Sequence, residues 1–555
     1  MGHSLKSPLL YWLLFGVACL AFWACLFHVA CAQPAFPGAE GYGQNAIGGR
    51  GGRVIKCTTA SQFKKACQDS TGARIVIVTS GGYLDFGSQA GKITVTHRYL
   101  TVAGQCSAGD GLFLKNLTLT LSCPEIIIRN VHIARGDSLI TGTKPEGGDC
   151  ITIGSDTAYN IIIDHCTIPW GTDENLSCGD GAGLVTVSWC MIYQPLALNC
   201  HPEGEHSKTL MWHNSSGDSV SYTHNSLVHS LDRNAQMVGP GNSDFIGNVI
   251  YNYGIATTYG QDSIPTRLQF KRNYFRWGLD TPLSDSTVVL RASNNPTGSL
   301  VYAEDNFGFR CKPCSGNQWG VTNESTVFQS TGELAASQVT AQLADSFQYV
   351  VDHAGAFPRT TADTKMVTDF AAGTGRVING ISAQTVYYPL GTITTFTRGV
   401  KDTVIISLTG DVPVNRYTST YNSGTFIEVS GIQTNTINAS TVGVNGGSGL
   451  IKLIFNTPFT TTLTSGVTTY KIQQDIVAPV SDGWPTFSSG TALTDTDNDG
   501  LPDVWELYFG GTTTSITQSD AMPGLGGYTY MDVYMYTCMS QRIAGLSIAP
   551  RYSLR

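Results

Sequence analysis

Between about residue 93 and residue 310 short β-rich segments recur, each readable as a strand and aligned with the others on its apolar alternation. Residues 126–133 read IIIRNVHI, 161–168 IIIDHCTI and 185–192 VTVSWCMI. The segments 220–227 (VSYTHNSL), 243–250 (SDFIGNVI) and 268–275 (LQFKRNYF) follow, and a last one ends at Asn306-Phe307. Their spacing is about 24 residues where the connecting loop is short and about 35 where it is long, the range of a solenoid with one or two strands per turn. The sixth position of successive segments reads Val131, Cys166, Cys190, Asn225, Asn248, Asn273, Asn306. Equivalent residues stacked about 4.8 Å apart fit a parallel coil, in which amide side chains hydrogen-bond up and down the column. The missing L-x-x-L-x-L pattern excludes a leucine-rich repeat. The fold class expected is all-β: a right-handed parallel β-helix over residues 33–378.

Beyond about residue 378 the alternation changes. Residues 385–475 are rich in Thr, Val, Ile, Ser and Gly, with alternating runs at 403–409 and 449–455, and read as an inserted C-terminal β-sandwich. Residues 480–555 hold an acidic loop and a helical tail. At the other end, residues 1–32 read as an export signal: Lys6, an apolar run from Leu9 to Ala30, and an A-x-A site at Ala30-Cys31-Ala32 before Gln33. This implies secretion; the alternative is an uncleaved anchor, for which the apolar run is long enough.

Composition adds two constraints. Only 13% of residues are charged and the net charge is −8, so nucleic acid is excluded as a partner and any acidic ligand must meet a local basic patch or a metal. Of fifteen cysteines, twelve remain without the signal, and an exported chain permits disulfides. Cys57 with Cys67 and Cys311 with Cys314 are local candidates, and Cys166 and Cys190 are neighbours on adjacent rungs, as a bridge or as inward-facing thiols.

Two constellations carry chemistry. Asp495, Asp497, Asp499, Asp503 and Glu506 occupy positions 1, 3, 5, 9 and 12 of a loop with Gly500 at position 6, the pattern of an EF-hand calcium loop. Its expected role is structural. The second lies in the solenoid: Asp149, Asp164-His165, Asp173-Glu174, the stretch His201-Pro-Glu203-Gly-Glu205-His206-Ser-Lys208, and Asp232-Arg233-Asn234. Loops one rung apart in a β-helix leave from the same side, so these residues can converge across more than eighty positions.

The opening residues 35–43 (AFPGAEGYG) with 48–53 (GGRGGR), then 160–175 (NIIIDHCTIPWGTDEN), 201–207 (HPEGEHS) and Asp232-Arg-Asn234, resemble bacterial pectate lyases of polysaccharide lyase family one, in the same order. Residues 355–375 and the calcium loop with 526–529 (GGYT) resemble its C-terminal part, leaving 385–475 as an insertion. The resemblance implies a secreted enzyme that cleaves α-1,4-linked galacturonan by calcium-assisted β-elimination. It implies an acidic plant cell-wall polysaccharide, pectate or pectin, as partner, Ca2+ as cofactor, and a monomer. Asp149 and Asp173, with Glu174 adjacent, become calcium ligands. Arg233 matches the family's proton-abstracting arginine, although a guanidinium in water holds its proton beyond pH 12. Lys208 is expected to assist it, and Glu203, His206 and Asn234 to contact substrate. Asp164-His165 is expected to support the loops. Three departures thin the site: Glu203 where many relatives have Lys, Gln236 where a further Arg is expected, and Pro169 where an acid is common. The competing readings are a non-catalytic wall-binding or adhesion protein and a glycoside hydrolase using paired carboxylates.

Overall fold

The computed structural model describes residues 33–550 apart from 88–90, 138–146, 180, 198–200, 202–205, 217, 283–289, 293–297, 309–338, 340–346, 382–383, 398–402, 408–425, 430–432, 443–449, 456–461, 465–468, 477–482 and 526. Within them the β-branched runs form a three-sheet parallel β-helix, one strand of each turn in each sheet. The first sheet has ten strands, from Arg53–Cys57 to Leu300–Glu304, and the second and third have eight each. Every pairing in them is parallel; for example Ile161, Ile162 and Ile163 lie beside Ile126, Ile127 and Ile128 below and Val185, Thr186 and Val187 above. Alternate residues point inward, and Ile126, Ile128, Ile161, Ile163, Val185 and Val187 belong to one buried core. Helix Ala60–Cys67 covers its first turns with Phe63, Ala66 and Cys67.

The repeated octapeptide is a corner, not one strand. In each turn it leaves the first sheet, bends, and enters the second. The bend residue is left-handed: Asn130, His165, Trp189, His224, Gly247, Arg272 and Asp305 have φ between 48° and 69°. For L residues other than glycine this costs about 1–2 kcal/mol each, offset by stacking: Trp189 lies flat between His165 and His224, with centroids 5.9 and 4.6 Å away. The next residue forms the ladder. Asn248 Oδ1 accepts from the Asn225 backbone N–H at 2.9 Å and from Asn225 Nδ2 at 3.0 Å, while Asn248 Nδ2 donates to Tyr222 O and to Asn273 Oδ1. Asn273 and Asn306 repeat the arrangement. All four amides are fully buried. Asn248→Ala therefore leaves several buried polar groups unmatched, and is expected to lower stability by about 3 kcal/mol or more in urea unfolding.

Cys57, Cys67, Cys166 and Cys190 are buried free thiols, so neither the expected Cys57–Cys67 bridge nor a Cys166–Cys190 bridge is present; Cys166 N–H instead points at Cys190 Sγ. Cys311 and Cys314 lie outside the described residues.

The outer face of the first sheet is covered from both ends of the chain. Residues 35–53 run across its strands, with Gly43 N–H donating to Thr186 Oγ1, Gly49 N–H to Thr101 Oγ1, and Tyr42 N–H to Ser221 Oγ. Glycine is required here because a Cβ at Gly43 or Gly49 would collide with the backbone of Ile161 or Arg74. Helix Tyr530–Ile543 packs on the earlier turns through Met531, Tyr534 and Cys538 against Ile75, Ile77 and Ala103. Helix Thr361–Ala372 lies against the second sheet; its buried Asp363 closes a capping box with Thr360 and meets His132 Nε2 and Tyr193 Oη, each at 2.9 Å.

The expected sandwich closes into a six-stranded antiparallel barrel. The reason lies in two long strands, Gln384–Thr397 and Gln433–Val442, which bend at register shifts and pair with different partners along their length. Each crosses from one face to the other, so two sheets become one closed surface.

Candidate active site

The third sheet positions the site. Asp149 stands two residues before strand Ile151–Gly154, and Ile151 pairs with Leu176, so Asp149 lies beside Glu174 at the start of strand Glu174–Gly179. On the next turns Lys208 pairs with Glu174, and Asp232 with Lys208. The loops ahead of these strands are tied to one another: Thr172 and Asp173 N–H both donate to Gly148 O, and Leu231 and Asp232 N–H both donate to Ser207 O. These bonds bring Asp173 to Asp149 from 24 residues away in the chain. Gly147 and Gly148 lack side chains because the ring of His201 and the guanidinium of Arg135 fill the space a Cβ would need.

The result is a compact carboxylate group. Asp149, Asp173 and Glu174 each offer an oxygen, all within 4.8 Å of one another. Asp149 is nearly buried and accepts from Thr152 Oγ1 at 2.8 Å, from Glu174 N–H at 3.1 Å and from Ser177 Oγ. Burial, reinforced by the charge of Asp173, pushes its carboxyl up to about 6. Burial also opposes charge on Asp173, but the imidazoles of His201 and His206 beside its carboxylate outweigh it and hold the group well below the usual carboxylate range. Oxygen donors that repel one another around a common point, one of them reluctant to ionise alone, suit a hard divalent cation.

Arg233 enters from two turns away. Its backbone is left-handed, with φ 53°, and its Nη1 passes Met211 Sδ at 3.2 Å to reach Glu174 Oε1. Burial lowers its pKa, and the charges of Asp173 and Asp149 pull it back up. Lys208 Nζ lies 2.8 Å from His206 Nε2. Asn234 does not face this group: its amide is buried, accepts from Thr209 Oγ1 and donates to Ile255 O, a scaffold position. Glu203 lies outside the described residues. Asp164 accepts from Arg129 Nε at 2.8 Å, from His165 Nδ1 and from Ser188 Oγ on the first sheet, away from the site, and so braces that sheet and not the loops it was expected to support.

Beside Arg233 runs a groove of about 270 Å3 lined by Thr152, Ser177, Met211, His213, Gln236 and Gln261. Apart from Gln236 its lining was not legible in the sequence, nor was Arg135, which donates to Thr172 and Thr118 beneath the carboxylates. A usable signal existed in the register: these residues precede or line third-sheet strands. Gln236, in the place of the expected arginine, bonds Gln261, so the groove's cationic side chain is Arg233, with His213 and Asp262 paired in its lining.

The calcium loop forms a second, separate group. Asp495, Asp497 and Asp499 converge within 4.8 Å. Gly500, at φ 102°, turns the chain where a side chain would strike Val54. Glu506 is fully buried; the Ile516 backbone N–H approaches its carboxylate, but among the described residues neither oxygen has a hydrogen-bond partner of normal geometry. Burial and the nearby Asp497 push its pKa up. A buried carboxylate this poorly satisfied fits position 12 of a calcium loop, which supplies two oxygens to the ion. Asp503 instead accepts from Thr496 N–H and Oγ1 at 2.7 Å, bracing the loop.

No protein-family model matches the chain. Among curated proteins it is similar to the probable pectate lyase C of Aspergillus oryzae, 29% identical over 364 residues that cover 63% of this chain and 79% of that protein. The probable pectate lyase C of Aspergillus terreus is 28% identical over 355 residues, 62% and 78% of the two chains. The chain is similar to pectate lyases over 63% of its length. Among solved structures, a pectate lyase from Bacillus sp. N165 in complex with trigalacturonate is 18% identical over 57% of this chain and 99% of its own, with a TM-score of 0.42. The raised Asp149 has a thermodynamic sign that can be checked. Its folded pKa lies above the unfolded value near 3.9, so stability falls as pH rises from about 4 to above 6. Without a cation, Asp149→Asn is expected to stabilise the protein by about 2–3 kcal/mol at pH 7.5 and to change little at pH 4. Thermal melts in chelator at the two pH values measure it. An amide fits, because the Ser177 and Thr152 hydroxyls can turn to accept.

Proposed function

We propose that the protein is a secreted lyase that cleaves pectate-like galacturonan by calcium-assisted β-elimination. The observation that carries this reading is the meeting of Asp149, Asp173 and Glu174 with Arg233, from three turns of the coil, Arg233 also lining the adjacent groove. Asp149, Asp173 and Glu174 would hold calcium, which when bound supplies a positive bridge to the substrate's C6 carboxylate and so acidifies the C5 proton. Arg233 faces the same point in a desolvated setting that favours loss of its own proton. Once its bond to Glu174 opens, it is placed to take the C5 proton as the C4–O bond breaks. Lys208, beside His206, supplies the remaining positive charge for a uronate carboxylate. The relatives' printed names point to the same activity. A hydrolase would leave Arg233 without a task, and an adhesion role would leave the carboxylate group without one.

Incubation of the mature protein with polygalacturonate and calcium tests this. The expected result is growing ultraviolet absorbance from an unsaturated uronide, abolished by chelator. New reducing ends without that absorbance would mean hydrolysis, and binding with neither would mean adhesion.

A further inference from the structure

Asp173 has two sides. On one, Asp149 and Glu174 offer only oxygen; on the other, His201 Nε2 stands 3.4 Å from Asp173 Oδ2 and His206 Nε2 stands 3.2 Å from Asp173 Oδ1. The imidazole rings stack with centroids 3.3 Å apart, so both Nε2 atoms are presented to the same carboxylate. These separations are long for charged hydrogen bonds, which close to about 2.7–2.9 Å. They match the edge of a coordination shell, since ligands bound at about 2.0–2.2 Å stand roughly 3.0–3.4 Å apart. Both rings are buried, while the side chain of Asp173 keeps 31% of its surface open, giving an ion a way in. The ammonium of Lys208, 2.8 Å from His206 Nε2, already places positive charge against this nitrogen.

We propose that Asp173, His201 and His206 form a second cation site, selective for a nitrogen-binding divalent transition ion, next to the all-oxygen pocket and sharing Asp173 with it. Imidazole suits such ions, whereas calcium takes oxygen ligands and competes poorly for nitrogen. Lys208 is the internal competitor: its charge weakens the site, and its removal opens it. The inference does not depend on the lyase reading, because the site could bind an ion in a protein that cleaves nothing.

Cobalt(II) is the probe, added to the full-length mature protein in excess calcium and followed by its visible absorbance. The expected result is one saturable site that calcium does not displace. His201→Gln and His206→Gln are each expected to weaken binding at least about tenfold, and Lys208→Met to tighten it. No saturable signal, stoichiometric displacement by calcium, or binding that survives in the double histidine variant would each overturn the proposal. The gain in Lys208→Met keeps the test decisive if a histidine variant folds poorly, because only a site at this nitrogen responds to that change. Polygalacturonate turnover in calcium alone reports the lyase reading separately.

Discussion

Arg233→Ala is expected to lower turnover of polygalacturonate by about 10²–10⁴-fold, the range of a lost acid–base group. Placement is the reason. The guanidinium lies beside Glu174, within reach of the charges of Asp149 and Asp173, yet burial lowers its pKa. A base must be unprotonated to act, so the wild-type rate is expected to climb with pH on the alkaline side, and the variant to lose that climb along with its rate. Alanine also leaves Glu174, only 3% exposed, without its partner, which costs about 3–5 kcal/mol in comparable buried pairs. Assays therefore belong well below the melting temperature. Arg233→Lys keeps a charge opposite Glu174 and separates lost folding from lost chemistry: full activity in that variant would rule out a role that depends on the guanidinium.

The second large effect concerns stability. Chelation of calcium is expected to destabilise the protein by about 3–4 kcal/mol, the linkage expected when free ion stands at 100–1,000 times the dissociation constant. The Asp495–Glu506 loop is the reason. Removing an ion from it leaves Glu506 with two buried, poorly satisfied oxygens among the charges of Asp497 and Asp499. The loop also leads into helix Asp503–Tyr508, whose Trp505 packs with Leu501 against Ile75 and Ile77 of the first sheet. Glu506→Gln is expected to reduce the response to chelator while the Asp149 group still answers to it. Calorimetry with and without calcium, in wild type and variant, separates the two contributions. An unchanged melting temperature in chelator would rule out a structural ion.

Much of this was legible in the residues. The column ending in Asn225, Asn248, Asn273 and Asn306 disclosed the parallel stacking because identical buried amides have few other uses, and the ladder is present as read. The repeats were seen as carrying one or two strands; there are three. The third-sheet strands ENLSCG, KTLMWH and DRNAQMV were hidden because one of their faces lines a polar groove, which breaks the apolar alternation. For the same reason the acidic residues of the site were readable and their neighbours were not: a carboxylate announces itself, whereas Ser177 or Gln261 matters only through register. Asn234 was misplaced because its motif is shared by a groove residue, Arg233, and by its inward-turned successor. The barrel at 384–476 escaped because alternation records strands but not where a long strand bends from one partner to another.

A stack of identical turns has a characteristic weakness: each layer holds only its neighbours, so it can peel from either extremity one layer at a time. The glycine-rich strap prevents this. It crosses from Arg74's strand to Ser221's, and its Arg50 meets Asp532 at 3.3 Å while Tyr528 Oη reaches Pro34 O. Head and tail are thereby knotted over layers that lie far apart, and loosening the lowest layer means releasing the strap, the tail helix and the calcium loop together. Heat or denaturant should therefore meet one concerted collapse where a bare coil would unravel by degrees.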